Sequence, residues 1–129
     1  MTRKKFLFSI FYFTLALFVY VLISLKLHLY WISPILDAPS HIMGGIVTAM
    51  MLAYFLFTFF PRIQGANLNI TIFLGVLVVG ILWEVFELRF YMTSLSNYGY
   101  FTETISDIIS NLTGSLIAQY YFIKKLYVR

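Results

Sequence analysis

The sequence predicts an all-α membrane protein, a single domain over residues 1–129 that folds as a bundle of four transmembrane helices with both termini in the cytoplasm. Two observations predict this class. Of the 129 residues, 61% are hydrophobic and 11% are charged, whereas an average soluble domain has about 45–50% apolar and about 25% charged residues. The apolar residues also fall into four stretches of about 20 residues, the length that crosses the hydrocarbon core of a bilayer as a helix.

The first two spans have clear ends. Residues 6–25 carry only Ser and Thr as polar interruptions, and this stretch is longer than the apolar region of about 7–15 residues in a secretory signal peptide. Residues 41–60 form the second span, which stops at Pro61 because proline lacks the amide proton that would continue a helix.

The third and fourth spans are more polar. Residues 70–91 form the third, although three charged residues interrupt its second half. Residues 104–123 form the fourth, which ends before two lysines. Gly114 and Ala118 in this span have the four-residue spacing that lets helix backbones approach, so we expect them at a helix contact.

The basic residues predict the orientation. Lys and Arg near the ends of spans favour the cytoplasmic side of a membrane. Seven of the nine basic residues lie on one side of a chain with four crossings, which places both termini and the loop after Pro61 in the cytoplasm of a multi-pass plasma-membrane protein. These seven are Arg3, Lys4, Lys5, Arg62, Lys124, Lys125 and Arg129.

The acidic residues all fall on the opposite, outer half. Charged carboxylates at membrane depth cost at least about 2.5–3.5 kcal/mol each, so several in one layer require pairing, protonation, a cation or water. We therefore expect a water-accessible acidic pocket that opens to the outer face. The five acids are Asp37, Glu84, Glu87, Glu103 and Asp107.

The spacing of the polar residues indicates which of them lie together in this pocket, because residues three or four apart share one face of a helix. Asp37 and His41, Glu84 and Glu87, and Asp107 and Asn111 are such pairs. We predict Glu84, Glu87, Asp107 and His41 as catalytic candidates. Oxygen ligands suit hard cations, so Glu84, Glu87 and Asp107 are also the predicted ligands of a divalent cation such as Mg²⁺ or Mn²⁺. The predicted ligand-binding residues are Asp37, Asn111 and Arg89.

Structural interpretations compete with the functional one. Thr104 and Asp107 fit a capping box at the start of the fourth helix, and Asp37 or Ser40 could cap the second. An internal salt bridge with Arg89 or Lys26 could explain the two glutamates of the third span. Under these interpretations the polar residues form a structural cluster without catalysis.

The order of these motifs resembles the VanZ-like small membrane proteins and the related YjdF-like group. Three elements carry the resemblance: Asp37-x-x-x-His41, the acid-rich end of the third span at Glu84, and Asp107-x-x-x-Asn111-x-x-Gly114. They cover about two-thirds of the chain. The resemblance implies a link to envelope lipids or the cell wall and a role of the glycopeptide-resistance type.

One position departs from that resemblance. VanZ-like sequences usually carry an arginine shortly before the Asp-x-x-x-Asn element, whereas this chain has Tyr100 and Glu103 in that region. No role of that arginine is therefore carried over.

Two functions remain open at this point. In the first, the pocket binds or processes the headgroup of an envelope lipid or a lipid-linked ligand, with membrane lipids as partners. In the second, the protein is a metal-dependent membrane hydrolase or transferase that acts on a lipid-linked phosphate or ester. The absence of cysteine excludes thiol nucleophiles and thiolate metal sites, and no feature of the sequence indicates a nucleic-acid partner.

Overall fold

The computed structural model describes residues 2–29, 36–90 and 99–127, and every long element in these ranges is helical. This confirms the all-α class. The helices are α1 (Arg3–Lys26), α2 (Ala38–Phe59), α3 (Ala66–Arg89) and α4 (Tyr100–Ala118). A π-helical turn, Gln119–Ile123, continues α4 without a break into the short α5, Lys124–Tyr127.

Three of these helices are long and apolar enough to cross a membrane. They are α1, α2 and α3, with 24, 22 and 24 residues. A multi-pass membrane protein is thus confirmed. Helix α4 is shorter and more polar, with 19 residues, so a fourth crossing stays a prediction.

The helix ends follow the expected signals in part. Helix α2 stops at Phe59, and Phe60 caps it directly before Pro61. Helix α4 begins at Tyr100, four residues before the predicted start of the fourth span. Residue 91, the predicted end of the third span, lies outside the described residues, as does Arg129.

Helix α2 lies at the centre of the bundle, because α1, α3 and α4 all pack against it. Its contact with α4 is the closest. A β-carbon on Gly45 would overlap the carbonyl oxygen of Asn111, and one on Gly114 would overlap that of Ile42. Two glycines, one from each helix, therefore let the backbones touch, as small residues do in membrane helix pairs.

The apolar core fills the half of the bundle nearest the basic helix ends. It includes Phe6 of α1, Met50 of α2, Leu68 and Ile72 of α3, and Ile123 of the π-helical turn, all fully buried. Large apolar side chains on the outside of α1 and α3 are exposed. An apolar outer surface suits a lipid environment. The polar residues lie in the other half of the bundle, away from this apolar core.

Candidate metal centre

The polar residues meet at one end of the bundle. Helices α2 and α4 begin there and α3 ends there, so residues far apart in sequence lie at the same level. Helix α2 contributes Asp37 and His41, and α4 contributes Asp107 and Asn111. We call these four residues the His41 cluster.

His41 occupies the middle of the cluster and is 7% exposed. Its Nε2 lies 3.3 Å from Asp37 Oδ2 and 3.6 Å from Asp107 Oδ1. The side-chain amide of Asn111 lies 3.3 Å from Nδ1 and donates to it. Because Nδ1 accepts this hydrogen bond, the ring proton of the neutral imidazole lies on Nε2, where Asp37 accepts it.

Asp37 precedes α2 at the N-cap position, but its side chain makes no capping hydrogen bond. Its Oδ1 accepts a hydrogen bond from the Ser40 hydroxyl at 2.7 Å, and Oδ2 faces His41. Burial opposes ionisation of Asp37, yet the hydrogen bonds from His41 and Ser40 outweigh it and hold the pKa of the carboxyl below its ordinary value. Side-chain capping by Asp37 or Ser40 is therefore wrong, and both side chains belong to the site.

Asp107 is not a capping residue either. Gly99, in a left-handed conformation with φ 101°, holds the N-cap position of α4. Thr104 therefore lies inside the helix, where its hydroxyl donates to Glu84 Oε2 at 3.0 Å. The capping-box interpretation is wrong because the helix begins one turn earlier than the sequence indicated.

The two glutamates of α3 have separate partners. Glu84 is 6% exposed, and its second oxygen, Oε1, is buried without a hydrogen-bond partner among the described residues. Glu87 accepts a hydrogen bond from the Trp83 indole at 2.8 Å. Within the described ranges neither Arg89 nor Lys26 forms an ion pair with either glutamate, so the salt-bridge explanation does not hold.

The Asn111 side chain fits between the helices because two glycines face it. The β-carbon positions of Gly44 in α2 and Gly80 in α3 lie 3.5 and 3.6 Å from its amide atoms. The amide therefore fits where α2, α3 and α4 meet. Its contact with Nδ1 fixes the orientation of the His41 ring. Asn111 positions the imidazole.

The model of a family described as "Predicted membrane protein (DUF2238)" matches residues 1–126. The chain belongs to DUF2238. No curated protein matches the chain, and no solved structure matches it. Membership of DUF2238 supports a membrane protein, and the VanZ-like resemblance remains a separate proposal.

The His41 cluster of this DUF2238 chain has the donor set of a metal site. One atom each from Asp37, His41 and Asp107 lie within 4.8 Å of one another. Ligands bound to one ion at about 2.0–2.2 Å are about 3.0–3.5 Å apart, which is close to the 3.3 and 3.6 Å observed around Nε2. The two aspartates would need to close around His41 to share an ion, because the three ligand atoms lie within 4.8 Å of one another rather than all at ligand spacing.

This set differs from the predicted one. Of the predicted ligands Glu84, Glu87 and Asp107, only Asp107 belongs to the group of three, while the glutamates bond to Thr104 and Trp83. Both glutamates nevertheless lie close enough to Asp107 to interact with it electrostatically. The ligand roles predicted for Glu84 and Glu87 stay predictions.

Sequence reasoning missed the roles of two hydroxyl groups. Ser40 follows Asp37 by three residues, a spacing that signals contact, but a serine at a helix start is equally typical of a cap. Thr104 shares a helical face with Asp107, and its bond to Glu84 depends on how α3 and α4 align, which no local pattern indicates. The place of Gly44 and Gly80 beside the Asn111 amide likewise depends on how the helices pack.

Proposed function

We propose that this protein binds a divalent cation at Asp37, His41 and Asp107, and that the site holds the headgroup of an envelope lipid or lipid-linked ligand. The observation that carries the proposal is the approach of three potential ligands, from the start of α2 and from α4, to within 4.8 Å of one another, with both aspartates at 3.3 and 3.6 Å from His41 Nε2. One imidazole nitrogen among carboxylates is more usual for Mn²⁺ or Zn²⁺ than for Mg²⁺.

Glu84 supports this proposal independently. Its Oε1 atom is nine-tenths buried with no donor among the described residues. A buried carboxylate oxygen without a partner is costly, and native proteins seldom keep one unless a bound group satisfies it. Excess negative charge beside His41 attracts a cation first. The same negative charge favours a headgroup rich in hydroxyl or amine groups over a simple anion.

The site is open enough for a ligand to enter. The Asp37 side chain is 33% exposed and that of Asp107 is 15% exposed, whereas His41 behind them is buried. Beside the site, Trp83, Phe86 and Phe90 form a stacked and exposed row at the end of α3. Aromatic rows of this kind lie at the headgroup level of membranes, which suits a ligand carried by a lipid.

We assign His41 to cation binding rather than to the role of general base. Both ring nitrogens are engaged, Nε2 with the two aspartates and Nδ1 with Asn111. A general base needs a free nitrogen directed at water or substrate. A metal-dependent hydrolase or transferase is the second candidate, and turnover of a lipid-linked phosphate by the purified protein would establish it.

The same proposal includes a four-span, VanZ-like arrangement in the plasma membrane with the site on the outer side. The continuous helix from residue 100 to residue 127 supports a fourth crossing, because 28 helical residues extend about 42 Å. All three VanZ-like motif elements contribute to the site, which supports the envelope role.

Metal content tests the proposal. The wild type and the variants Asp107→Asn, Asp37→Asn and Glu103→Gln are purified in mild detergent, loaded with Mn²⁺ or Zn²⁺, desalted and measured by elemental analysis. Glu103 is the matched control, since it is an exposed acid of α4 outside the His41 cluster. We expect near one ion per chain in the wild type and control, and loss in both aspartate variants. A metal-free wild type, or equal metal in all four proteins, would overturn the proposal.

A further inference from the structure

A groove lies at the opposite end of the bundle from the His41 cluster. It has a volume of about 520 Å³ and runs between the start of α3 and the π-helical turn. We call it the Lys124 groove. Its lining residues are Gly65, Asn69, Leu116, Gln119, Tyr120 and Lys124.

The groove combines a cation, amide groups and apolar surface. The Lys124 ammonium lies 5.5 Å from the centre of the Tyr120 ring, a cation–π contact that keeps the charge beside the groove. Asn69 and Gln119 add side-chain amides that can donate hydrogen bonds. Leu116 and Tyr120 are more than half exposed, so one side of the groove is open to acyl chains.

Charge complementarity indicates which ligand fits. No lining residue is acidic, and all five acids of the chain lie towards the other end of the bundle. Gly65 caps α3 without a side-chain hydrogen bond, so the first amides of that helix add positive potential at the groove. Lys124 and the start of α3 therefore both favour an anionic group in the groove.

The local backbone is also unusual. The turn that carries Gln119 and Tyr120 is π-helical rather than α-helical, and its wider geometry displaces these side chains relative to a regular helix. Single π-helical turns are rare and occur frequently at functional sites. Here the turn forms one wall of the groove.

We propose that the Lys124 groove binds the phosphate of an anionic membrane phospholipid, with the acyl chains against Leu116 and Tyr120. Lys124 contacts the phosphate directly, and Asn69 and Gln119 donate to its oxygens. The groove thus anchors a lipid at the basic end of the bundle, independently of any ligand at the His41 cluster.

Native mass spectrometry of the full-length protein with added phosphatidylglycerol tests this site. We expect one tightly bound lipid per chain in the wild type and at least ten-fold weaker binding of phosphatidylcholine. Lys124→Gln removes a charge-assisted contact and should weaken phosphatidylglycerol binding by about ten-fold, whereas Lys124→Arg keeps the charge and most of the affinity.

Lys4→Gln is the matched control. It removes an exposed basic residue from the same end of the bundle without touching the groove, so it should change the affinity by less than about three-fold. Equal losses in Lys124→Gln and Lys4→Gln would overturn the proposal, because only the general charge would then matter. Displacement of the lipid by millimolar inorganic phosphate would also overturn it, since the site would then recognise the free anion. Asp107→Asn should leave this binding unchanged.

Discussion

His41 is the residue on which the geometry of the His41 cluster depends. Its ring contacts Asp37 and Asp107 through one nitrogen and Asn111 through the other. If a cation displaces the proton from Nε2, the proton moves to Nδ1, and Asn111 must then present its carbonyl oxygen instead of its amide nitrogen. Metal binding at Nε2 would therefore require the Asn111 amide to rotate, beside the two positions where Gly44 and Gly80 present no side chain.

The unpartnered oxygen of Glu84 leads to a prediction about this single residue. Glu84→Gln keeps an acceptor for Thr104 but removes a negative charge near the cation, so the affinity for Mn²⁺ should fall by about ten-fold. The free energy of unfolding of the metal-free protein should change by less than about 1 kcal/mol, because no ion pair is broken. Titration calorimetry and thermal unfolding measure the two quantities.

Glu103→Gln again serves as the control and should leave both quantities unchanged. A loss of folded protein in Glu84→Gln with unaltered Mn²⁺ affinity would assign Glu84 to structure rather than to binding.

At the scale of the helices, the glycine contact between α2 and α4 sets the distance across the site. Gly45→Ala places a methyl group into the backbone of Asn111, which cannot move without separating the helices. We expect a loss of at least about 2 kcal/mol of unfolding free energy, the typical cost of overpacking, together with weaker metal binding.

Gly44→Ala is the matched control for the predicted loss of stability in Gly45→Ala. The two glycines are adjacent in α2, but a β-carbon at Gly44 meets only the Asn111 side chain at an ordinary 3.5 Å. Its stability should equal or exceed that of the wild type, because alanine is the better helix former by about 1 kcal/mol. Similar stabilities of both variants would contradict the proposed close contact.

The helices also show what the sequence could and could not predict. Length, apolarity and Pro61 were sufficient for three membrane-spanning helices, and four-residue spacing correctly paired Asp37 with His41. The start of α4 was misplaced because Gly99 caps it through its left-handed backbone, without a side-chain signal. The alignment of α3 with α4 depends on tertiary packing, so the bond between Thr104 and Glu84 had no local signature.

At the scale of the whole molecule, charge is segregated between the two ends of the bundle. The His41 cluster and its neighbouring glutamates lie at one end, and the Lys124 groove lies at the other. The positive-inside rule predicts from this asymmetry that the acidic end faces outward. An acidic site that faces outward can meet external cations and envelope ligands without transport.

Labelling of single cysteines tests that orientation cleanly, because the natural chain has no cysteine. Leu27→Cys and Glu103→Cys introduce exposed thiols at the acidic end, and Gln64→Cys introduces one between α2 and α3. A membrane-impermeant maleimide should label residues 27 and 103 on intact cells and residue 64 only after permeabilisation. The reverse pattern would place the acidic site in the cytoplasm.

The most direct test of the central claim is pulsed electron paramagnetic resonance of bound Mn²⁺, which detects the nucleus of a coordinating imidazole nitrogen. Measured on Mn²⁺-loaded protein carrying His28→Gln, so that His41 is the remaining histidine, the spectrum should show coupling to one nitrogen. That coupling should change on ¹⁵N-histidine labelling and disappear in a further His41→Gln variant. Bound Mn²⁺ without nitrogen coupling would contradict the site formed by Asp37, His41 and Asp107.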